Sequence, residues 1–308
     1  MKKKYAIGID LGGTYLRTAL VSSEGEIVRK VKMPSSENIM ESLQGSIRTL
    51  LAEGVSGIGL GIAGLIDRHK GIVVESPNLP GIEGVDIAGT LRDAFRLPVV
   101  LENDANVAAV GEKWMGGGKP FKDFVLLTLG TGIGGGLIHN HVLMDVVAEV
   151  GHMSIVANGE RCSCGNYGCL EAYASGTAIL SRATRSLENG AESAVRESCK
   201  GNIYKLTSED IYKAALDGDT LSREILRDAG RYLGVGMSNL IHIFSPDALI
   251  LAGGLIGAWN IFIQEAIKEA SRRTFKQLFE KVNILPSSLG DDAGILGASH
   301  LVFTCQRT

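Results

Sequence analysis

The chain has 308 residues, 45% of them hydrophobic and 21% charged, with a formal net charge of −3. That length and composition suit a folded globular protein with room for two ordinary domains. The near-neutral balance argues against a nucleic-acid partner and no apolar run reaches membrane-spanning length, so small-molecule partners are expected. The opening Lys2-Lys3-Lys4 imitates the start of a signal peptide, but Asp10 interrupts the apolar stretch behind it and no small-residue cleavage site follows.

In chain order, Tyr5-Ala-Ile-Gly-Ile-Asp10 reads as a buried strand, Leu11-Gly-Gly-Thr14 as a tight turn and Leu16-Arg-Thr-Ala-Leu-Val21 as the returning strand. A helix is expected over 39–51, strands over 57–62 and 98–101, and a helix over 104–114. Met115-Gly-Gly-Gly-Lys-Pro120 is the clearest composition break and places a domain boundary there. Strand 124–129, the glycine run Gly130-Thr-Gly-Ile-Gly-Gly-Gly136 and strand 137–139 then repeat the opening arrangement, which points to internal duplication. Helices over 208–216, 221–241 and 259–278, a strand over 248–252 and a last helix from about 292 complete an α/β pattern. The expected division is a first domain of 1–116 completed by 292–308, and a second of 117–291.

Each glycine turn can aim successive backbone N–H groups at an anion, because glycine permits both the dihedrals and the close approach. Two such turns would grip a polyphosphate, with Asp10 holding hydrated Mg²⁺ and Thr14 and Thr131 adding hydroxyls. The second run also satisfies a dinucleotide fingerprint, but that fold needs a helix next and Leu137-Ile-His139 reads as a strand. Between strand and helix, Glu102-Asn-Asp-Ala-Asn106 places Asp104 either as a helix cap or as a base for a substrate hydroxyl, with Asn103 offering a donor and an acceptor.

Three of the five cysteines fall in Cys162-Ser-Cys164-Gly-Asn-Tyr-Gly-Cys169, and His152 lies just upstream in Glu149-Val-Gly-His152. Three thiolates and an imidazole make a closed tetrahedral zinc site, structural because no position remains for an activated water. Glu149 and Glu171 flank that segment and could accept bonds from a polyol. Cys199 and Cys305 are isolated, and the odd total fits a reducing cytoplasm better than a disulfide framework.

Together, Asp10-Leu-Gly-Gly-Thr14, Glu102-Asn-Asp-Ala-Asn106, the second glycine run, Glu149-Val-Gly-His152 and Cys162 through Glu171 resemble the ROK family of sugar kinases and sugar-responsive repressors, nearly end to end. The resemblance implies a two-lobed, actin-like ATPase fold (ribonuclease H-like) with a cleft that closes on sugar and ATP. It implies Asp104 as the base acting on a sugar 6-hydroxyl, and a sugar pocket of Gly64, Asn78, Asn103, Asp104, Glu149, His152 and Glu171. Asp10, Gly12, Gly13, Thr14, Thr131, Gly132, Gly253 and Gly254 would meet ATP and Mg²⁺, while His152, Cys162, Cys164 and Cys169 would bind Zn²⁺. Glucose is the expected substrate because Ser76-Pro-Asn-Leu-Pro-Gly81 resembles bacterial glucokinases of the family, with another hexose or N-acetylhexosamine, or a non-enzymatic regulator, as alternatives. Repressors of the family add an N-terminal helix-turn-helix, for which no room is expected ahead of the first turn. A homodimer or tetramer is implied. One departure stands out: His139-Asn-His-Val-Leu-Met-Asp-Val-Val-Ala148 is shorter than the family's glycine-rich stretch and carries Ala148 where a glycine is usual.

Overall fold

The computed structural model describes residues 4–35, 38–68, 70–76, 79, 81–199 and 201–305. The strands in chain order are Tyr5–Leu11 (β1), Tyr15–Ser22 (β2), Ile27–Pro34 (β3), Val55–Ile62 (β4), Leu65–Asp67 (β5), Ile72–Glu75 (β6), Val99–Asn103 (β7), Phe124–Leu129 (β8), Ile133–His139 (β9), Val142–Leu143 (β10), Ala248–Ala252 (β11) and Asn283–Pro286 (β12). Two of the three sheets have five strands, in the orders β3-β2-β1-β4-β7 and β10-β9-β8-β11-β12. Counted within each sheet, both orders are third, second, first, fourth, fifth, so the duplicated glycine turns belong to a duplicated topology. The chain divides into one compact unit of Met1–Leu126, Gly136–Val147 and Ser287–Thr308, and another of Leu127–Gly135 and Ala148–Pro286.

In the first unit, β1 pairs antiparallel with β2 and parallel with β4, and β4 pairs parallel with β7. Ile7, Ile9, Leu60 and Leu101 from these strands form one buried cluster with Leu43 and Ile47 of helix Ile39–Leu50 (α1) and Ile87 and Leu91 of helix Ile87–Phe95 (α2). On β4 the glycines alternate, and a period of two puts Gly57, Gly59 and Gly61 on one face. That face takes the C-terminal helix Ala293–Cys305: a Cβ on Gly59 would overlap the Ala298 carbonyl, and one on Gly57 would meet Val302 at 2.7 Å. Helix Asp104–Trp114 (α3) packs against that C-terminal helix just as closely, through Gly111 and Gly297.

The glycine run at 130–136 is not all turn. β9 begins at Ile133, so three of its glycines lie in a strand, and a Cβ on Gly136 would stand 2.6 Å from the Ala109 Cβ of α3. The short stretch after β9 is a tight hairpin: Asn140 and His141 both have positive φ, 52° and 68°, the combination two-residue hairpin loops require. The expected helix over 259–278 is interrupted: a π-helical stretch, Trp259–Ile263, leads into helix Gln264–Arg273, which ends before Thr274 in extended backbone. Among the described residues no helix is long and apolar enough to cross a membrane.

Candidate active site and metal centre

The first glycine turn is built from its own backbone. Gly12 N–H donates to the Tyr15 carbonyl at 3.0 Å, while Ser35 donates its hydroxyl to the Gly12 carbonyl at 2.7 Å and its N–H to the Thr14 carbonyl at 3.0 Å. Gly13 and Thr14 are left exposed at the tip. Asp10, directly opposite Arg17 in the β1/β2 register, holds its carboxylate 3.3 Å from the guanidinium. On its other side Gly294 approaches so closely that a Cβ would lie 2.9 Å from the Asp10 carboxyl carbon.

Burial, and then the nearby Asp104 carboxylate, push the Asp10 carboxyl up from 3.8 to about 7, with Arg17 pulling the other way. A carboxyl raised on folding contributes stability that is fully present below its unfolded value and is lost as pH rises through about 7. The free protein should therefore lose thermal stability between about pH 4 and about pH 7, and Asp10→Asn should flatten that loss. Thermal melts at the two pH values check this; parallel pH dependences in variant and parent would contradict it.

Asn103, not Asp104, caps α3. Its side-chain oxygen accepts from the N–H groups of Ala105 at 2.9 Å and Asn106 at 3.2 Å, and its amide donates to the Gly64 carbonyl at 3.0 Å. Asp104 thus occupies the first helical turn instead of the cap position. Gly64 has φ 135°, and a Cβ there would overlap the Glu75 carbonyl, so this position requires glycine. Asn78 lies outside the described residues.

Beneath these groups the sequence reading missed a buried ion pair. Glu102, 5% exposed, accepts from Arg68 Nε at 2.7 Å, from the Asn106 amide at 2.9 Å and from the Asn103 N–H at 2.8 Å. Arg68 also pairs with Asp145 of the short stretch after β10. Glu102 lies inside a recognised motif, whereas nothing near Arg68 in the sequence marks it.

In the second unit the turn after β8 is held from two helices, Glu171–Ala174 (α4) and Gly176–Glu188 (α5). Gly176 N–H donates to the Gly130 carbonyl and Thr177 Oγ1 to the Thr131 carbonyl, both at 2.8 Å, leaving Thr131 exposed. Gly253, at φ 92°, packs its Cα against the Leu129 backbone, which brings Gly253 and Gly254 at the end of β11 beside the start of that turn. Glu171 accepts the Ile133 N–H at 2.8 Å.

His152, Cys162, Cys164 and Cys169 converge, their ligand atoms all within 4.8 Å of one another. Cys162 Sγ is 3.6 Å from His152 Nδ1 and Cys164 Sγ is 3.7 Å from Cys169 Sγ; zinc–sulfur bonds of about 2.3 Å give tetrahedral edges of about 3.8 Å. The donor set and its edge lengths are compatible with a structural zinc ion. Burial and then the neighbouring thiols push the Cys169 thiol up to about 12, so forming the thiolate here needs a cation, and loading releases protons. The imidazole faces two ways: Nδ1 toward the thiols, and Nε2 toward Glu149, 4.0 Å away. Gly165, at φ 87°, closes the knuckle between the first two thiols and the third.

Residues 6–304 match the ROK family. The chain belongs to the ROK family. A glucokinase of Thermotoga maritima is 36% identical over 98% of both chains, and a xylose repressor of Bacillus subtilis is 34% identical over 98% of this chain and 77% of its own length. Among solved structures, a ROK glucokinase from Streptomyces griseus in complex with glucose and AMPPNP superposes with a TM-score of 0.87 at 31% identity, covering 97% of this chain and 99% of that one. The fold class is therefore the actin-like α/β ATPase fold of ROK proteins, consistent with two five-stranded sheets that share one strand order.

Proposed function

We propose that this ROK protein is an ATP-dependent hexose kinase that phosphorylates a sugar 6-hydroxyl, with glucose the favoured substrate. The observation that carries the reading is the placement of Asp104: Asn103 takes over the capping of α3, and the carboxylate stands in the first turn near Asp10. A sugar-responsive repressor needs no base there; a kinase does. The glucokinase at 36% identity, and a ROK glucokinase solved with glucose and AMPPNP, support the same substrate class.

In this reading Asp104 takes the proton of the 6-hydroxyl as the oxygen–phosphorus bond forms, and the bond from the γ-phosphorus to its bridging oxygen breaks to release ADP. In the first unit Asn103 and Gly64 are the sugar ligands beside Asp104; in the second, Glu149, His152 and Glu171 are acceptors for sugar hydroxyls. Each glycine turn, the first with Thr14 and the second with Thr131, Gly253 and Gly254, offers backbone donors to phosphate oxygens. A hydrated Mg²⁺ would fit at the Asp10 carboxylate, which burial and Asp104 make hard to ionise even with Arg17 beside it, and when bound would neutralise phosphate charge. Zinc, with four protein ligands, braces the segment from Glu149 to Glu171 and has no open position for a reacting group.

ADP release measured over glucose, mannose, fructose, allose and N-acetylmannosamine tests the substrate. Glucose is expected to give the highest kcat/KM; a higher value for another sugar overturns that part. The Bacillus subtilis repressor's 34% identity favours a second reading, a sugar-binding regulator. Retention on DNA at physiological salt, together with no ATP turnover on any sugar, would select it.

A further inference from the structure

We infer that Glu171 is a positioning residue for the second glycine turn and couples the metal centre to nucleotide binding. The inference rests on the kinase reading in taking that turn as a phosphate cradle. The Glu171 carboxylate is tied to the turn itself, accepting the Ile133 N–H at 2.8 Å through Oε2. The approach is close: a Cβ added to Gly132 would overlap that carboxylate, so a larger residue there would have to push the glutamate off its bond to the turn. The bond is charge-assisted and therefore among the stronger ones available to a backbone amide. It also withdraws the Ile133 N–H from the donors a phosphate could use, and fixes the peptide plane next to those that remain.

Glu171 follows the metal ligand Cys169 by two residues. Between them Leu170 is fully buried and donates its N–H to the Met153 carbonyl, one residue beyond the ligand His152, while Ala172 donates to the Cys169 carbonyl, both at 3.0 Å. The carboxylate's place at the turn is thus set by the segment the metal clamps. The first half of the turn has anchors of its own in Gly176 and Thr177 of α5, whereas the second half meets the metal segment through the Glu171 hydrogen bond and through the close packing of Gly151 on the Ile133 carbonyl. A glutamate acting only as a sugar ligand would leave nucleotide binding unaffected when removed.

Titration calorimetry with Mg²⁺ and AMPPNP, without sugar, separates the two roles. Glu171→Ala and Gly132→Ala are expected to bind AMPPNP about tenfold more weakly than the parent, the scale of losing one hydrogen bond to a charged group. Glu171→Gln, whose amide oxygen can still accept from Ile133, should stay within about threefold. Parent protein stripped of metal by a chelator should show the same weakening as Glu171→Ala. Parental AMPPNP affinity in Glu171→Ala and Gly132→Ala overturns the coupling, even where sugar affinity falls. Failure of the parent itself to bind AMPPNP would instead remove the kinase reading and the coupling with it.

Discussion

Replacing Asp104 by asparagine is expected to lower turnover by about 10²-fold or more while changing the sugar KM only a few-fold, because it deletes a proton acceptor and preserves shape and hydrogen bonding. The fold should tolerate the change. Asn103 supplies two capping bonds of α3, and the bond that Asp104 accepts from the Ala105 N–H can be kept by an asparagine side-chain oxygen. The Asp104 carboxylate also helps raise the Asp10 carboxyl, so removing its charge relieves a repulsion. Lost activity in a protein no less stable than its parent is the signature of a base. Turnover within a few-fold of the parent would dismiss Asp104 from that role, whatever its position.

Cys164→Ala should reduce bound zinc from about one ion per chain to near none, lower the melting temperature and raise the sugar KM. Cys164 is itself exposed, so the thiol's own packing contributes little. Structural zinc sites carry about 10–16 kcal/mol of apparent binding free energy, so loss of one ligand in four outweighs any surface effect of the substitution. Without the ion, His152 loses the contact that orients its ring between thiols and Glu149, and Glu171 loses the anchor two residues before it. Elemental analysis reads the outcome directly: undiminished zinc in the variant would contradict the ligand assignment. Acidification should release the metal from the parent as well, since each thiolate must compete with a proton.

The parts of this structure legible in the sequence are those set by local pattern. The helix expected over 208–216 is found at Ser208–Leu216, where Thr207 and Asp210 form a capping box. The strands beside both glycine turns follow from buried apolar runs bounded by glycine, and the four-residue metal cluster from ligand spacing. What escaped is set by partners distant in the chain. The glycines of β9 look like turn residues, yet Gly136 is small because α3 packs on the strand there. Asparagine and aspartate are near-equal caps, so residues 103 and 104 could not be told apart until the backbone placed one of them at the cap. Arg68 becomes a partner of Glu102 only through tertiary packing, across thirty-four positions of sequence. The bond from Glu171 to the second glycine turn spans thirty-eight positions, and no motif announces it.

The most direct test is the product. Purified protein incubated with ATP, Mg²⁺ and glucose is expected to form one glucose 6-phosphate for each ADP, the position of the phosphate being read by NMR. Unchanged ATP in the presence of every hexose tried, from a protein that still binds zinc and sugar, would contradict the account.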